Sequence, residues 1–208
     1  DKLVRQSAEN VFSMIGLQLG DGMARKKDVD VLALYSGFST DIGAAGRSMS
    51  LANVSAAVAY AKGKKFGSNV YIVQHPFAVW DIANTAVTAS STYPVPAGWS
   101  ADLLGNFFSG LRPINGVPIF EDGNISIDSS DDAVGVIADR SALGVLKSVD
   151  MNKEQDRDIS LRATEVVITA DYGVFELDDS KGVALTLDAA VPSSPLGPIS
   201  PFCPLTPS

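Results

Sequence analysis

Apolar residues recur at three- and four-residue spacings in the first stretch of the chain. Val4, Ala8, Val11, Ile15, Leu19 and Met23 trace one stripe, which predicts an amphipathic helix over residues 3–24. At 1.5 Å per residue it would be about 30 Å long. Gly16, Gly20 and Gly22 weaken it, each by up to about 1 kcal/mol relative to Ala, and predict a bend or close packing. A short apolar stretch, 29–35, follows. Leu51, Val54, Val58 and Ala61 mark one face of a second helix at 51–62, with Ser50 as its cap and Gly63 as its end. Residues 70–73 (VYIV) read as a short buried strand. Pro76 then suits the first turn of a helix running to Val87. Residues 88–113 read as loop with interspersed aromatics. Residues 117–120 (VPIF) form a strand that Pro118 assigns to an edge or a bulge, and 134–138 form another. Asp139 is expected to cap a short helix at 141–147. From Ile159 the pattern becomes β-rich, and Asp178–Gly182 reads as the turn of a long β hairpin. Helix first, then mixed elements, then a long hairpin gives an α+β fold rather than an alternating parallel α/β one.

Composition narrows the function classes. The chain has 208 residues, 46% apolar and 19% charged, with a net charge of −8. That length suits one large domain or two small ones. Low charge with many small residues suits a protein that buries surface against neighbours as well as against itself. The acidic balance argues against nucleic-acid binding by phosphate neutralisation. The two basic clusters, Arg25-Lys26-Lys27 and Lys62, Lys64, Lys65, are expected at helix ends, where cations favour the dipole. With one Cys and one His, an intramolecular disulfide and a cysteine/histidine zinc site are excluded. No apolar run is long enough for a membrane-spanning helix. No signal peptide is visible. The chain starts at Asp1, so it is expected to be processed, trimmed or the ordered part of a longer protein.

Candidate chemistry is sparse. Gly43–Gly46 (GAAG) matches neither the dinucleotide nor the P-loop pattern and reads as loop flexibility. His75 lacks an accompanying nucleophile motif, so it is expected to hydrogen-bond backbone at a strand-to-helix junction. Cys203 reads as a small apolar residue or an exposed thiol. Asp122, Asp128, Asp131 and Asp132 depart from the EF-hand pattern and read as a solvated acidic loop, with a loose Ca²⁺ or Mg²⁺ site as the alternative. The mixed-sign stretch 150–158 suggests a solvated or inter-subunit face. Trp80 and Trp99 read as core or interface anchors.

The C-terminus has its own period. Pro192, Pro195, Pro198, Pro201, Pro204 and Pro207 fall on every third residue, and Leu196, Ile199, Phe202 and Leu205 share that spacing. Polyproline II has three residues per turn, so the prolines would line one edge and the apolar residues another. Such a stiff segment loses little entropy on docking. These ten residues are the candidate interface residues, and 191–208 is expected to lie extended against an adjacent subunit. The competing use is a PxxP ligand for a recognition domain.

Several stretches, taken in order, carry a resemblance. They are an opening helix ending near KKDVDVLALYSGF, then VYIVQHPFAVWDIAN, then NGVPIFEDG, then ADRSALGVLKSVD. The last is KEQDRDISLRATEVVITADYGVFELDDSKGVALTLDAA. The set resembles the major capsid proteins of tailed bacteriophages, of the Hong Kong 97-type fold, over roughly residues 1–190. The resemblance implies a spine helix with its continuation at 3–34. It implies a peripheral domain from 1–47 and 139–190, the latter with a long β-sheet. It further implies an axial domain at 48–138, with 191–208 left as the proline-rich tail. An N-terminal arm and extended loop belong to the family and do not precede Asp1 here, so no cross-link residues are assigned. By the same resemblance the chain would be a non-enzymatic coat protein without cofactor or metal. It would assemble in the host bacterial cytoplasm into an icosahedral virion shell around double-stranded DNA, without reading sequence or entering a membrane. Its expected partners are its own copies in pentamers and hexamers, with decoration or cement, portal and scaffolding proteins. The alternatives are an encapsulin-type nanocompartment shell and a proline-tail binding module.

Overall fold

A computed structural model describes residues 11–87, 112–114, 116–160, 163–194 and 197–198. The chain divides into two units, one from residues 1–34 and 143–177, the other from 35–142 and 178–208.

The first unit is a helix and a hairpin. Helix α1 spans Val11–Leu32, so it continues eight residues beyond the periodic stripe that predicted it. Nothing in 25–32 stops a helix. Asp21 pairs with Arg25 at 3.0 Å, and Lys26 pairs with Asp30. Both pairs are spaced i, i+4, which supports helix on an exposed surface. The Arg25-Lys26-Lys27 cluster therefore lies within α1 and not at its end. The hairpin consists of two long strands. They are Leu143–Asp158 and Ala163–Glu176, paired antiparallel from Leu143↔Glu176 to Asp158↔Ala163 with register shifts around Val149. The short helix expected at 141–147 is absent. Asp139 does make capping-type bonds, accepting from Ser141 N at 3.2 Å and Ser141 Oγ at 2.6 Å. They close a turn, however, and the chain enters the strand at Leu143. The local cap signal was real, but cross-strand pairing over the following residues decided the outcome.

The second unit is built on a five-stranded sheet. Its strands are β1 (Val70–Gln74), β2 (Arg112–Ile114), β3 (Val117–Glu121) and β4 (Asp132–Asp139). The two hairpin strands of the first unit are then β5 (143–158) and β6 (163–176), and Gly182–Asp188 is β7. The sheet order is β2-β3-β1-β4-β7, with only β1 and β3 parallel. Thus β7 pairs with β4 along its whole length, and the hairpin expected across 178–182 does not form. Asp178–Gly182 instead carries the chain from β6 to a different sheet through a short 3₁₀ turn at Asp179–Lys181. The β-rich stretch from Ile159, expected as the long sheet of the 139–190 segment, is divided between the two units, with 163–176 paired to 143–158 and 182–188 paired to β4. Strand β3 is not an edge strand, because β2 covers it. Pro113 faces Pro118 in that pair. Opposed residues in antiparallel strands alternate between bonded and non-bonded pairs, and a non-bonded pair needs no N–H from either proline.

Two α-helices of this unit lie among the described residues. Helix α2 (Leu51–Gly63) starts where Ser50 Oγ accepts from Asn53 N at 3.2 Å, as expected of the cap. Its buried face is Val54, Ala57, Val58 and Ala61, and Leu51 stays exposed. Helix α3 (Pro76–Val87) opens on Pro76 and buries Ala78, Val79 and Ile82. The core consists of these residues with Met49, Ile72, Val136, Ile137 and Val183, all at most 3% exposed.

Candidate assembly surfaces

The residues singled out for chemistry have structural employment. His75 is buried at the β1–α3 junction, and its Nδ1 accepts from Phe77 N at 3.2 Å. The Phe77 ring meets it edge-on at 4.7 Å. Burial lowers the imidazole pKa, with the Asp122 carboxylate pulling weakly the other way. This is a neutral ring fixing a helix start. In the acidic loop, Asp122 Oδ1 accepts from Asn124 N, and Asp128 Oδ1 accepts from Ser130 N and Asp132 N. Asp132 Oδ1 accepts from Gly46 N at 2.6 Å. The Asp122 and Asp128 carboxylates are used on backbone donors of tight turns, and that of Asp132 holds the distant Gly46. Among the described residues no group of three or more His, Cys, Asp or Glu is placed to hold a metal, and no helix is long and apolar enough to cross a membrane.

Gly43–Gly46 is not a flexible loop. Residues 40–47 lie along the free edge of β7. Ala184 N donates to Thr40 O, Ile42 N to Ala184 O, Ala44 N to Thr186 O and Asp188 N to Arg47 O, all at 2.9–3.1 Å. Asp41 adds its side chain, accepting from Thr186 N at 3.2 Å and Thr186 Oγ1 at 2.7 Å. Gly43 sits at φ 141°, and a Cβ there would fall 2.2 Å from Thr186 O. The glycine is required by close approach.

In the first unit a polar cluster joins helix and hairpin. Lys27 Nζ donates to Asp150 O and Asp150 Oδ1, both at 2.7 Å, and lies 5.6 Å from the centre of the Tyr172 ring. Tyr172 OH donates to Asp30 Oδ2 at 2.6 Å. Asp30 is held below the usual carboxylate range by its bond from Lys26, then by that from Tyr172. Asp150 is lowered by Lys27 and Lys147. Sequence periodicity gave no sign of this cluster, because its members lie more than 100 residues apart.

The same unit contains no fully buried side chain among its described residues. Of the sixteen large hydrophobics that stand exposed among the described residues, five are on α1 and seven on the hairpin and its ends. Leu17 is 74% exposed, Leu146 67% and Ile159 84%. The stripe that predicted α1 is among them, since Ile15 and Leu19 are exposed. Over the described residues that stripe marks a helix, while Val4 and Ala8 lie outside them.

No family profile matches the sequence, and neither does any curated protein. Solved structures do match. The head protein of Helicobacter pylori bacteriophage KHP40 superposes with a TM-score of 0.67 at 12% identity, over 90% of this chain and 71% of that one. The capsid of cyanophage P-SCSP1u gives 0.66 at 13% identity, over 91% and 70%. The SrpI encapsulin of Synechococcus elongatus gives 0.61 at 10% identity, over 91% and 70%. The chain has the Hong Kong 97-type capsid fold.

Within this capsid fold the second unit carries one further surface feature. Ile42, Ala44, Val54, Ala57, Leu185 and Leu187 line an apolar groove of about 190 Å³, with Arg47 and Asn53 among its polar lining. Trp80 and Phe120 are partly exposed elsewhere on this unit. Of the tail candidates, Pro192 and Pro198 fall within the described residues. Ser193–Ser194 pairs antiparallel with Gly197–Pro198, so the chain folds back there and no single polyproline helix runs from 192 to 207. Pro195, Leu196, Ile199, Pro201, Phe202, Pro204, Leu205 and Pro207 lie outside the described residues, as do Cys203 and Trp99.

Proposed function

We propose that the chain is a coat subunit whose copies close an icosahedral phage head around double-stranded DNA. The observation that carries this is the helix–hairpin unit. A two-stranded ribbon with one helix and no buried side chain does not stabilise itself. Exposure of so many large apolar side chains on such a unit points to an interaction surface. A closed shell of identical copies covers it by symmetry. The capsid fold supports the same reading. The helix–hairpin unit then serves as the peripheral part of the subunit, the sheet unit as the axial part around five- and six-fold axes, and the role is mechanical rather than catalytic. Assembly in a bacterial cytoplasm with portal, scaffolding and decoration proteins belongs to this reading.

The likeness to the SrpI encapsulin favours a second reading, a nanocompartment shell enclosing protein cargo. Electron microscopy of the complete natural gene product, purified from its source, separates the outcomes. Closed shells containing nuclease-protected DNA are expected. Shells filled with a second protein and free of DNA would move the assignment to a compartment. A monodisperse monomer under all conditions would overturn both.

A further inference from the structure

Strand alternation sorts the charges at the far end of the hairpin. From Asn152↔Thr169 to Asp158↔Ala163 the pairing of β5 with β6 is unbroken. Paired residues therefore share a face, and successive residues alternate between faces. One face takes Glu154, Asp156 and Asp158 from β5 and Glu165 from β6, with no Lys or Arg. The other takes Lys153 and Arg157, backed by Val166 and Ile168, with no Asp or Glu. The stretch 150–158 is of mixed sign in sequence but not in space. Along β6 the even-numbered residues from Thr164 to Tyr172 are half-buried and the odd-numbered ones exposed. Tyr172 is thus on the basic face, which is the side α1 joins through Asp30. Ile168 lies four residues further out, about 13 Å along the strand, and Lys153 and Arg157 are exposed there.

The acidic face is built against the hairpin's own interest. Asp156 stands directly opposite Glu165, and like charges so placed destabilise an antiparallel pair. Neither cation has an acid opposite it, since Lys153 faces Ile168 and Arg157 faces Thr164. The sorting forgoes cross-strand ion pairs and leaves each face suited to a partner of the opposite charge. The chain itself supplies such a partner. Two acidic faces repel, and so do two basic ones, so neither face suits its own copy across a two-fold axis. The acidic face of one copy fits the basic face of another. We propose that the far end of the hairpin is a head-to-tail contact between copies of this chain. Glu154, Asp156 and Glu165 of one copy receive Lys153 and Arg157 of the next. A heterologous contact of this kind closes into a ring when the rotation between copies allows it. The proposal rests on the coat reading, because its partner is a second copy, and it adds the residues and the polarity of one contact.

Charge exchange in the complete gene product tests it. The first variant carries Glu154→Lys, Asp156→Lys and Glu165→Lys, and the second carries Lys153→Glu and Arg157→Glu. Each alone sets like charges together in every head-to-tail contact. Assembly, followed by sedimentation, should fall at least tenfold in each. The pair at 156 and 165 keeps like charges in the first variant, so its unfolding midpoint should stay at the parent's while assembly is lost. All five exchanges in one chain restore opposite charges across the contact and should bring assembly back to at least half the parent's yield. A merely structural role for these residues predicts no such rescue. If either variant assembled as the parent does, or the five-exchange chain folded without assembling, the proposal would be overturned and the coat reading would stand. A parent that formed no assembly of any size would overturn both. Should the first variant fail to fold, Asp156→Lys takes its place. It sets a cation opposite Glu165, so it should fold at least as stably as the parent and still assemble less.

Discussion

At Gly43 one missing methyl group decides whether a segment can add to a sheet. Its φ of 141° and the 2.2 Å approach of a hypothetical Cβ to Thr186 O leave no room for a side chain. Both obstacles are backbone, so neither can rotate away. Gly43→Ala should lower unfolding free energy by about 3 kcal/mol, combining a strained backbone conformation with overpacking. Gly123→Ala meets nothing within 4 Å and should stay within about 0.5 kcal/mol of the parent. Chemical denaturation of both variants makes the comparison, and an unperturbed Gly43→Ala would show that 40–47 is not seated on β7. The sequence shows GAAG as glycine-rich and no more. Flexible and close-packed glycines have the same letter, and the strand that excludes the Cβ comes more than 140 residues later. Gln74 is similar. A glutamine in an apolar strand gives no sign that its Nε2 donates to Leu185 O at 3.3 Å while its Oε1 accepts from His75 N at 3.1 Å. His75 was legible, because its partner Phe77 N is two residues away.

Among elements the same division holds. Helix α2 and the start of α3 were legible because their signals, a Ser cap and a first-turn proline, act over one helical turn. Strands β1, β3, β4, β6 and β7 were legible as strands, while β5 was hidden under a helix signal at 141–147 and a charged stretch at 150–158. Pairing was not legible, which is why 182–188 was expected beside 163–176 and is found beside β4. The docking of α1 on the hairpin is also non-local, and it is testable through charge. Asp30 raises the Tyr172 pKa through the hydrogen bond it accepts. Asp30→Asn should bring the phenol back towards its ordinary titration near pH 10, read as the ultraviolet difference between each protein and its Tyr172→Phe counterpart. No change in the titration would mean that helix and hairpin are not joined there. The carboxylates give the acid side. Asp30 and Asp150 both titrate below the ordinary 3.8 in the folded chain, so their contribution is present above that value and is lost as pH falls through the lowered ones. Hydrogen exchange in residues 25–32 should therefore keep its protection from pH 7 to about pH 4 and lose it below.

For the whole molecule, the question is where the apolar surface of the helix–hairpin unit goes. A fold that left this much of it in water would associate through it, and 46% apolar residues with 19% charged supply few charges to prevent that. The coat reading turns this into an outcome that separates folding from assembly. Leu17 and Ile159 are 74% and 84% exposed, so within one subunit a polar replacement removes almost no burial. Leu17→Asp and Ile159→Asp should each leave the unfolding midpoint of the isolated subunit within about 0.5 kcal/mol of the parent. In an assembled shell the same positions would be covered, and an unpaired carboxylate buried there is strongly unfavourable. Shell yield by sedimentation and electron microscopy should fall at least tenfold in each variant. A charge-neutral Leu17→Met should assemble as the parent does, because its volume and polarity are nearly kept. If both Asp variants assembled normally, the apolar face of the helix–hairpin unit would not be the contact between copies. The coat reading would then have lost the observation that carries it, and would rest on the likeness of fold alone.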